Sequence, residues 1–150
     1  MVTKELIQNF LAPKKMAIAG VSRDPKKFGY TVYEELSKKD YELYPINPNA
    51  DTINGNKCYK DVSSLPSHVK HLLILTPKSQ TDETLKEAIS KGITHIWVQQ
   101  MSETENTIKI AEEYDIEPIM KKCIFMFAEP VAGFHNFHRT LLKIFGMLHR

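Results

Sequence analysis

Met16-Ala17-Ile18-Ala19-Gly20-Val21-Ser22-Arg23-Asp24-Pro25-Lys26-Lys27-Phe28-Gly29-Tyr30 couples a short apolar run to a loop that carries two glycines and three cations. The run Met16–Val21 has no polar alternation, as expected of a central strand covered on both faces. From Tyr30 onward, Val32, Tyr33 and Leu36 fall at helical spacing, and Ser37-Lys38-Lys39-Asp40 reads as the solvated end of that helix. Tyr41 to Ile46 is then a second strand. Strand, glycine-bearing loop, helix and strand make one βαβ unit.

The same rhythm continues along the chain. Asn47-Pro48-Asn49 stops the second strand because proline offers no ladder donor, and Asn54-Gly55 marks a tight turn before a short extended piece near Lys57 to Tyr59. Leu72 to Leu75 is a further buried-type strand that ends at Thr76-Pro77. Ser79 followed by Asp82 has the spacing of a capping box, and Leu85, Ala88 and Ile89 form a helical stripe that Gly92 terminates. His95 to Val98 is the next strand. Ser102 with Glu105 has the spacing of a second cap, Ile108, Ala111 and Tyr114 line a helix, and Glu117 to Met120 closes the series. The pattern predicts an α/β, Rossmann-like three-layer domain around a mostly parallel five-stranded sheet. Phe134, Phe137, Leu141, Leu142, Phe145 and Leu148 predict a C-terminal amphipathic helix. Neither a linker nor an internal repeat is visible, so residues 1–150 are expected to form a single domain.

Composition narrows the partners. Of 150 residues, 42% are hydrophobic and 25% charged, and 20 Lys+Arg against 18 Asp+Glu leave a net charge of only +2. That balance disfavours nucleic acid and anionic membranes as bulk electrostatic partners, so any anion site is local. No apolar window approaches the roughly 20 residues that span a bilayer, and the N-terminus lacks a secretory pattern, which makes the cytoplasm the expected compartment. Cys58 and Cys123 show no CxxC spacing and are expected to be reduced.

Ligands of open α/β sheets bind beyond the carboxyl ends of the strands, where strand order reverses. In the first such loop, Gly20 permits close backbone approach, Ser22 offers a hydroxyl, and Gly29 lies at a helix start whose N–H groups and dipole favour phosphate. Arg23, Lys26 and Lys27 add cations; a solvated turn remains an even alternative on the loop alone. A nicotinamide-dinucleotide site usually has Asp or Glu at the end of its second strand, whereas this strand ends Tyr44-Pro45-Ile46-Asn47-Pro48. The missing carboxylate and the incomplete G-x-G-x-x-G spacing weigh against NAD. An adenine nucleotide with an additional phosphate, such as coenzyme A, suits the loop better.

With Pro45-Ile46-Asn47-Pro48, Ile53-Asn54-Gly55, Thr76-Pro77, Trp97-Val98-Gln99 and Cys123-Ile124 added in order, Lys14 to Ile124 resembles the CoA-binding protein family. Its members are small stand-alone proteins similar to the CoA-binding N-terminal domain of the succinyl-CoA synthetase alpha subunit. The resemblance implies coenzyme A or an acyl-CoA as ligand. Gly20, Val21, Ser22, Arg23, Lys27 and Gly29 would cradle the diphosphate, with Tyr30 behind them. Asn47 and Pro48 would border the adenosine, Thr76 and Pro77 would line the cleft, and Gln99 would face the pantetheine. Gln100-Met101 departs from a glycine often found there in the family. In the synthetase, catalysis uses a phosphohistidine on a further domain, so ligand binding without catalysis is the expectation here. The alternatives are an NAD(P)-dependent oxidoreductase and an interaction subunit of a CoA-using enzyme that docks or self-associates through the C-terminal helix. His135 and His138 form only a two-member pair, short of the three protein ligands usual for catalytic zinc. Cys123 reads as a small buried hydrophobe, with a mixed disulfide to the CoA thiol as the sharper alternative, and Trp97 reads as core. His68, His71 and His95 receive no role.

Overall fold

The computed structural model describes residues 2–128. Expectations for the C-terminal amphipathic helix, His135 and His138 concern residues outside that range. Helix α1 (Lys4–Leu11) precedes β1 (Lys15–Ala19), α2 (Phe28–Ser37) and β2 (Glu42–Ile46). A two-stranded hairpin of β3 (Thr52–Ile53) and β4 (Asn56–Lys57) follows. Then come β5 (His71–Ile74), α3 (Lys78–Lys91), β6 (His95–Gln99), α4 (Glu105–Glu113) and β7 (Ile119–Lys122).

The main sheet has five strands in the order β2-β1-β5-β6-β7, and every neighbouring pair is parallel. Alternate residues of β1 feed two separate cores, as the two-residue strand period requires. Met16 and Ile18 pack with Phe10, Val32, Leu36 and Trp97 on the face covered by α1 and α2. Ala17 and Ala19 pack with Leu85, Ala88 and Ile110 on the face covered by α3 and α4. Five strands between two helical layers give the three-layer Rossmann-like architecture that the apolar runs predict. Trp97 is fully buried, meets Phe10 edge-on at 5.4 Å and donates from Nε1 to the Lys122 carbonyl at 3.0 Å.

Several local readings are corrected. Helix α1 lies outside the elements that the sequence pattern predicts, although Thr3 caps it by accepting from the Leu6 amide at 3.1 Å. Helix α2 begins at Phe28 rather than Tyr30, and β7 begins at Ile119 rather than Glu117. Tyr114 does not line α4; it lies at the helix C-cap and is 50% exposed. Ser79 is not a cap, because α3 starts from Pro77 without a side-chain cap bond. The cap of α4 is Thr104 rather than Ser102, and its reciprocal partner is Thr107 rather than Glu105.

The reason for the last two corrections is tertiary. Asp82, on α3, accepts from Thr107 Oγ1 at 2.7 Å, Asn106 Nδ2 at 3.0 Å and Thr104 Oγ1 at 3.1 Å, pinning α3 to the start of α4. Partial burial pushes the Asp82 carboxyl up, but the hydrogen bonds from Thr107, Asn106 and Thr104 outweigh it and hold the group below its ordinary value. Asp82→Ala is expected to cost about 2 kcal/mol at neutral pH, since it strips a charge-assisted acceptor from the buried Thr107. A carboxyl depressed in the folded state stabilises fully above the unfolded value, about pH 4. The wild-type advantage in thermal or urea denaturation should therefore disappear as pH falls below that value.

Candidate functional site

Two glycines set the site. Gly20 leaves β1 with φ +95°, and a Cβ there would lie 2.8 Å from the Leu75 carbonyl carbon of the neighbouring strand's exit. Gly29, in the first turn of α2, would carry a Cβ 2.1 Å from the Gly20 carbonyl oxygen, well inside any tolerable contact. Only two bare backbones allow α2 to start directly on the end of β1.

The intervening loop is ordered by its own polar side chains. Ser22 Oγ accepts from the Asp24 amide at 3.0 Å, and Asp24 Oδ1 accepts from the Lys26 amide at 2.9 Å. The Ser22 oxygen is thus used as an acceptor, which leaves its proton to be donated. Arg23, Lys26 and Lys27 are exposed. Lys27 occupies the N-cap of α2 and makes no side-chain cap bond, and α3 likewise starts uncapped at Pro77. Helices α1 and α4, by contrast, are closed by Thr3 and Thr104. The two helices beside the β1/β5 boundary therefore present first-turn amides without side-chain acceptors, the arrangement that favours an anion.

That boundary is where the chain order of the sheet reverses, and a cleft of about 310 Å³ opens there. Gly20, Val21, Asn47, Pro48 and Thr76 line it. Asn47 ties two of its walls together by donating to the Val21 carbonyl at 2.8 Å while its Oδ1 accepts from the Asn49 amide at 2.8 Å. Thr76 is buried and shares a 2.8 Å hydrogen bond with Thr81 of α3, so its side chain fixes the start of that helix. Ser22, Arg23, Lys27 and Gly29 belong to the loop and helix start at the cleft's border.

Pro77, at the N-cap of α3, follows Thr76 without lining the cleft, and two further residues of the expected set lie elsewhere. Tyr30 lies in the first turn of α2 and does not line the cleft; the Glu34 carboxylate one turn on raises its phenol's pKa, against a smaller lowering influence of Asn54 in the hairpin. Gln99 is 2% exposed and fully committed inside the protein, donating to Cys123 Sγ at 3.1 Å and accepting from the Ile124 amide at 3.0 Å. Cys123 is buried, and burial drives its thiol upward more than the Gln99 bond lowers it. The neutral thiol is a weak nucleophile, in keeping with a packing role.

Several cleft residues escaped sequence reasoning, among them Asp61, Gln80, Glu87 and Lys60. Lys60 reaches the cleft from the segment after the hairpin, held by Asp51 Oδ1 at 2.8 Å and the Ala50 carbonyl at 3.3 Å. No motif spacing marks it, because the hairpin folds it back beside the end of β2. A larger hollow of about 590 Å³, lined by α1 residues with Tyr41 and Phe127, opens near Lys14 and Tyr41, where β1 and β2 begin. Apart from Lys122 at the end of β7, its lining belongs to α1, the starts of β1 and β2, and Phe127, away from the β1/β5 boundary where this sheet type binds ligands, so volume does not select the site.

Residues 14–129 match the model of the CoA binding domain. The chain belongs to that family. The alpha subunit of the ADP-forming acetate–CoA ligase II of Pyrococcus furiosus is 29% identical over 153 residues, covering 93% of this chain and 31% of the relative. The ADP-forming acetate–CoA ligase of Methanocaldococcus jannaschii is 31% identical over 141 residues, covering 89% and 20%. This CoA-binding domain thus spans less than a third of the length of those two relatives. A solved structure of a conserved hypothetical protein from Pyrococcus furiosus superposes with a TM-score of 0.71 at 34% identity, covering 73% of this chain and 95% of that one.

The glycine contact makes a direct prediction. Gly29→Ala should displace α2 from β1 and lower stability by about 3 kcal/mol, since overpacking alone typically costs 1–3 kcal/mol and here the obstacle is backbone. Chemical denaturation measures it, and an Ala variant of unchanged stability would show that the helix does not need this seat.

Proposed function

We propose that this chain binds coenzyme A or an acyl-CoA in the β1/β5 cleft and carries out no bond-making step of its own. The observation that carries the reading is the glycine-seated, uncapped start of α2 beside a cationic loop. The diphosphate takes the first-turn amides of α2, with Ser22 donating and Arg23 and Lys27 supplying charge. Gly20 and Val21 form the floor on which the backbone meets the ligand. Asn47 and Pro48 border the adenosine, and Thr76 and Pro77 shape the wall toward the pantetheine.

The family match and the CoA ligases among its relatives support this ligand class. The end of β2 supports it over a nicotinamide dinucleotide. Asn47 stands where a ribose-binding carboxylate belongs, and both ends of its amide are engaged with protein backbone. Among the described residues, no helix is long and apolar enough to cross a membrane. A protein partner is consistent with a relative that is the alpha subunit of a ligase.

Calorimetric titration with CoA, acetyl-CoA, dephospho-CoA and NAD tests the proposal. Binding of the CoA series with little or none of NAD is expected, and preference for NAD would return the chain to the oxidoreductase reading. The double variant Arg23→Ala, Lys27→Ala should weaken both CoA and dephospho-CoA, by tenfold or more in total at about 1 kcal/mol for each lost contact. Adenosine, which lacks the diphosphate, should lose little.

A further inference from the structure

Coenzyme A bears two separate anionic groups, a diphosphate at the ribose 5′ position and a phosphomonoester at the 3′ position. The uncapped start of α2 provides for the first. The second needs a cation on the adenosine side of the cleft, beyond the end of β2, and Lys60 is the cation that the fold delivers there. Its ammonium is anchored to Ala50 and Asp51, immediately after the Asn47-Pro48-Asn49 turn, and the residue lines the same cleft as Gly20, Asn47 and Pro48, with Asp61 and Glu87 also on its walls. It is therefore carried by the wall that follows β2 and not by the loop that cradles the diphosphate.

Resting on the proposed CoA binding, we infer that Lys60 recognises the ribose 3′-phosphate and that Asp51 holds its ammonium in place until that phosphate arrives. Asp51 is a poor permanent partner. Its side chain is 91% exposed and that of Lys60 52% exposed, so their ion pair contributes little and yields readily to a dianion. After the Lys60 contact, the charge of Arg23 on the loop after β1 is a further influence that lowers the Asp51 carboxyl. The loop after β1 and the segment after the hairpin thus both act on the Asp51 carboxylate. A phosphomonoester entering here exchanges one exposed carboxylate contact for a charge-assisted bond of greater strength.

The inference gives Lys60 and Asp51 opposite roles, which a structural part for the pair would not do. Wild-type protein is expected to bind CoA about tenfold more tightly than dephospho-CoA, the worth of one such bond at a half-exposed site. Lys60→Met should bring that ratio close to one by weakening CoA alone. Asp51→Asn should raise the ratio, because it removes the competing and repelling carboxylate. Equal loss of both ligands in either variant, or a ratio unmoved by Lys60→Met, would overturn the assignment while leaving CoA binding standing. Failure of the wild type to bind either ligand would instead overturn the functional proposal itself, and the inference with it. A final arm compares adenosine 3′,5′-bisphosphate with the 2′,5′ isomer. Tighter binding of the 3′,5′ isomer supports the assignment, and tighter binding of the 2′,5′ isomer overturns it in favour of a 2′-phosphorylated dinucleotide.

Discussion

The approach of Gly29 to the Gly20 carbonyl is the contact on which the rest of the site depends. A methyl group at either position would collide with backbone, which cannot rotate aside as a side chain can. The consequence is geometric. With α2 seated this low on β1, its first-turn amides lie beside the strand ends, and the loop from Val21 to Lys27 has to turn tightly through its Ser22 and Asp24 bonds. The cationic side chains are then carried outward, while Gly20 and Val21 at the start of the loop line the cleft. Steric exclusion at two positions thus produces an electrostatic feature several residues away.

The wider sheet is arranged to exploit that seat. Because the order is β2-β1-β5-β6-β7, the chain moves outward in one direction from β1 to β2 and in the other from β5 to β7. Helices α2 and α3 therefore leave from the two sides of the same boundary, on opposite faces of the sheet, and their uncapped starts converge on it. Helix α4, one strand further out, is closed by Thr104 and by Asp82 reaching across from α3. The contrast follows a division of labour, in which the helix start removed from the cleft is satisfied internally and those bordering it are left for other acceptors.

How much of this was legible in the sequence depended on whether the cause was local. Strands buried on both faces declare themselves as unbroken apolar runs, so β1 and β5 were recognisable from Met16–Val21 and Leu72–Leu75. The loop chemistry was equally visible, because glycines, a serine and cations lie within ten residues. The caps were misread for the opposite reason. Ser79–Asp82 and Ser102–Glu105 have the spacing of capping boxes, but Asp82 is claimed by three residues some 25 positions away, and Thr104 outcompetes Ser102 once that carboxylate is present. Gln99 was assigned outward because it closes a strand at the ligand end, and only the position of Cys123 and Ile124 shows what its amide serves. Lys60 had no local signature at all.

The segment that carries Lys60 has another effect on the molecule. Strand β2 is an edge of the main sheet, and its carboxyl-terminal half is covered by Tyr59, which donates to the Pro45 carbonyl at 2.8 Å and accepts from the Asn47 amide at 2.9 Å. Pro45 itself has no amide proton to offer. An extended peptide or a second copy of the sheet therefore finds the pairing positions next to the cleft already occupied or chemically blank. The protein can keep an open, donor-rich mouth for a small anion without exposing beside it the kind of strand edge on which chains aggregate.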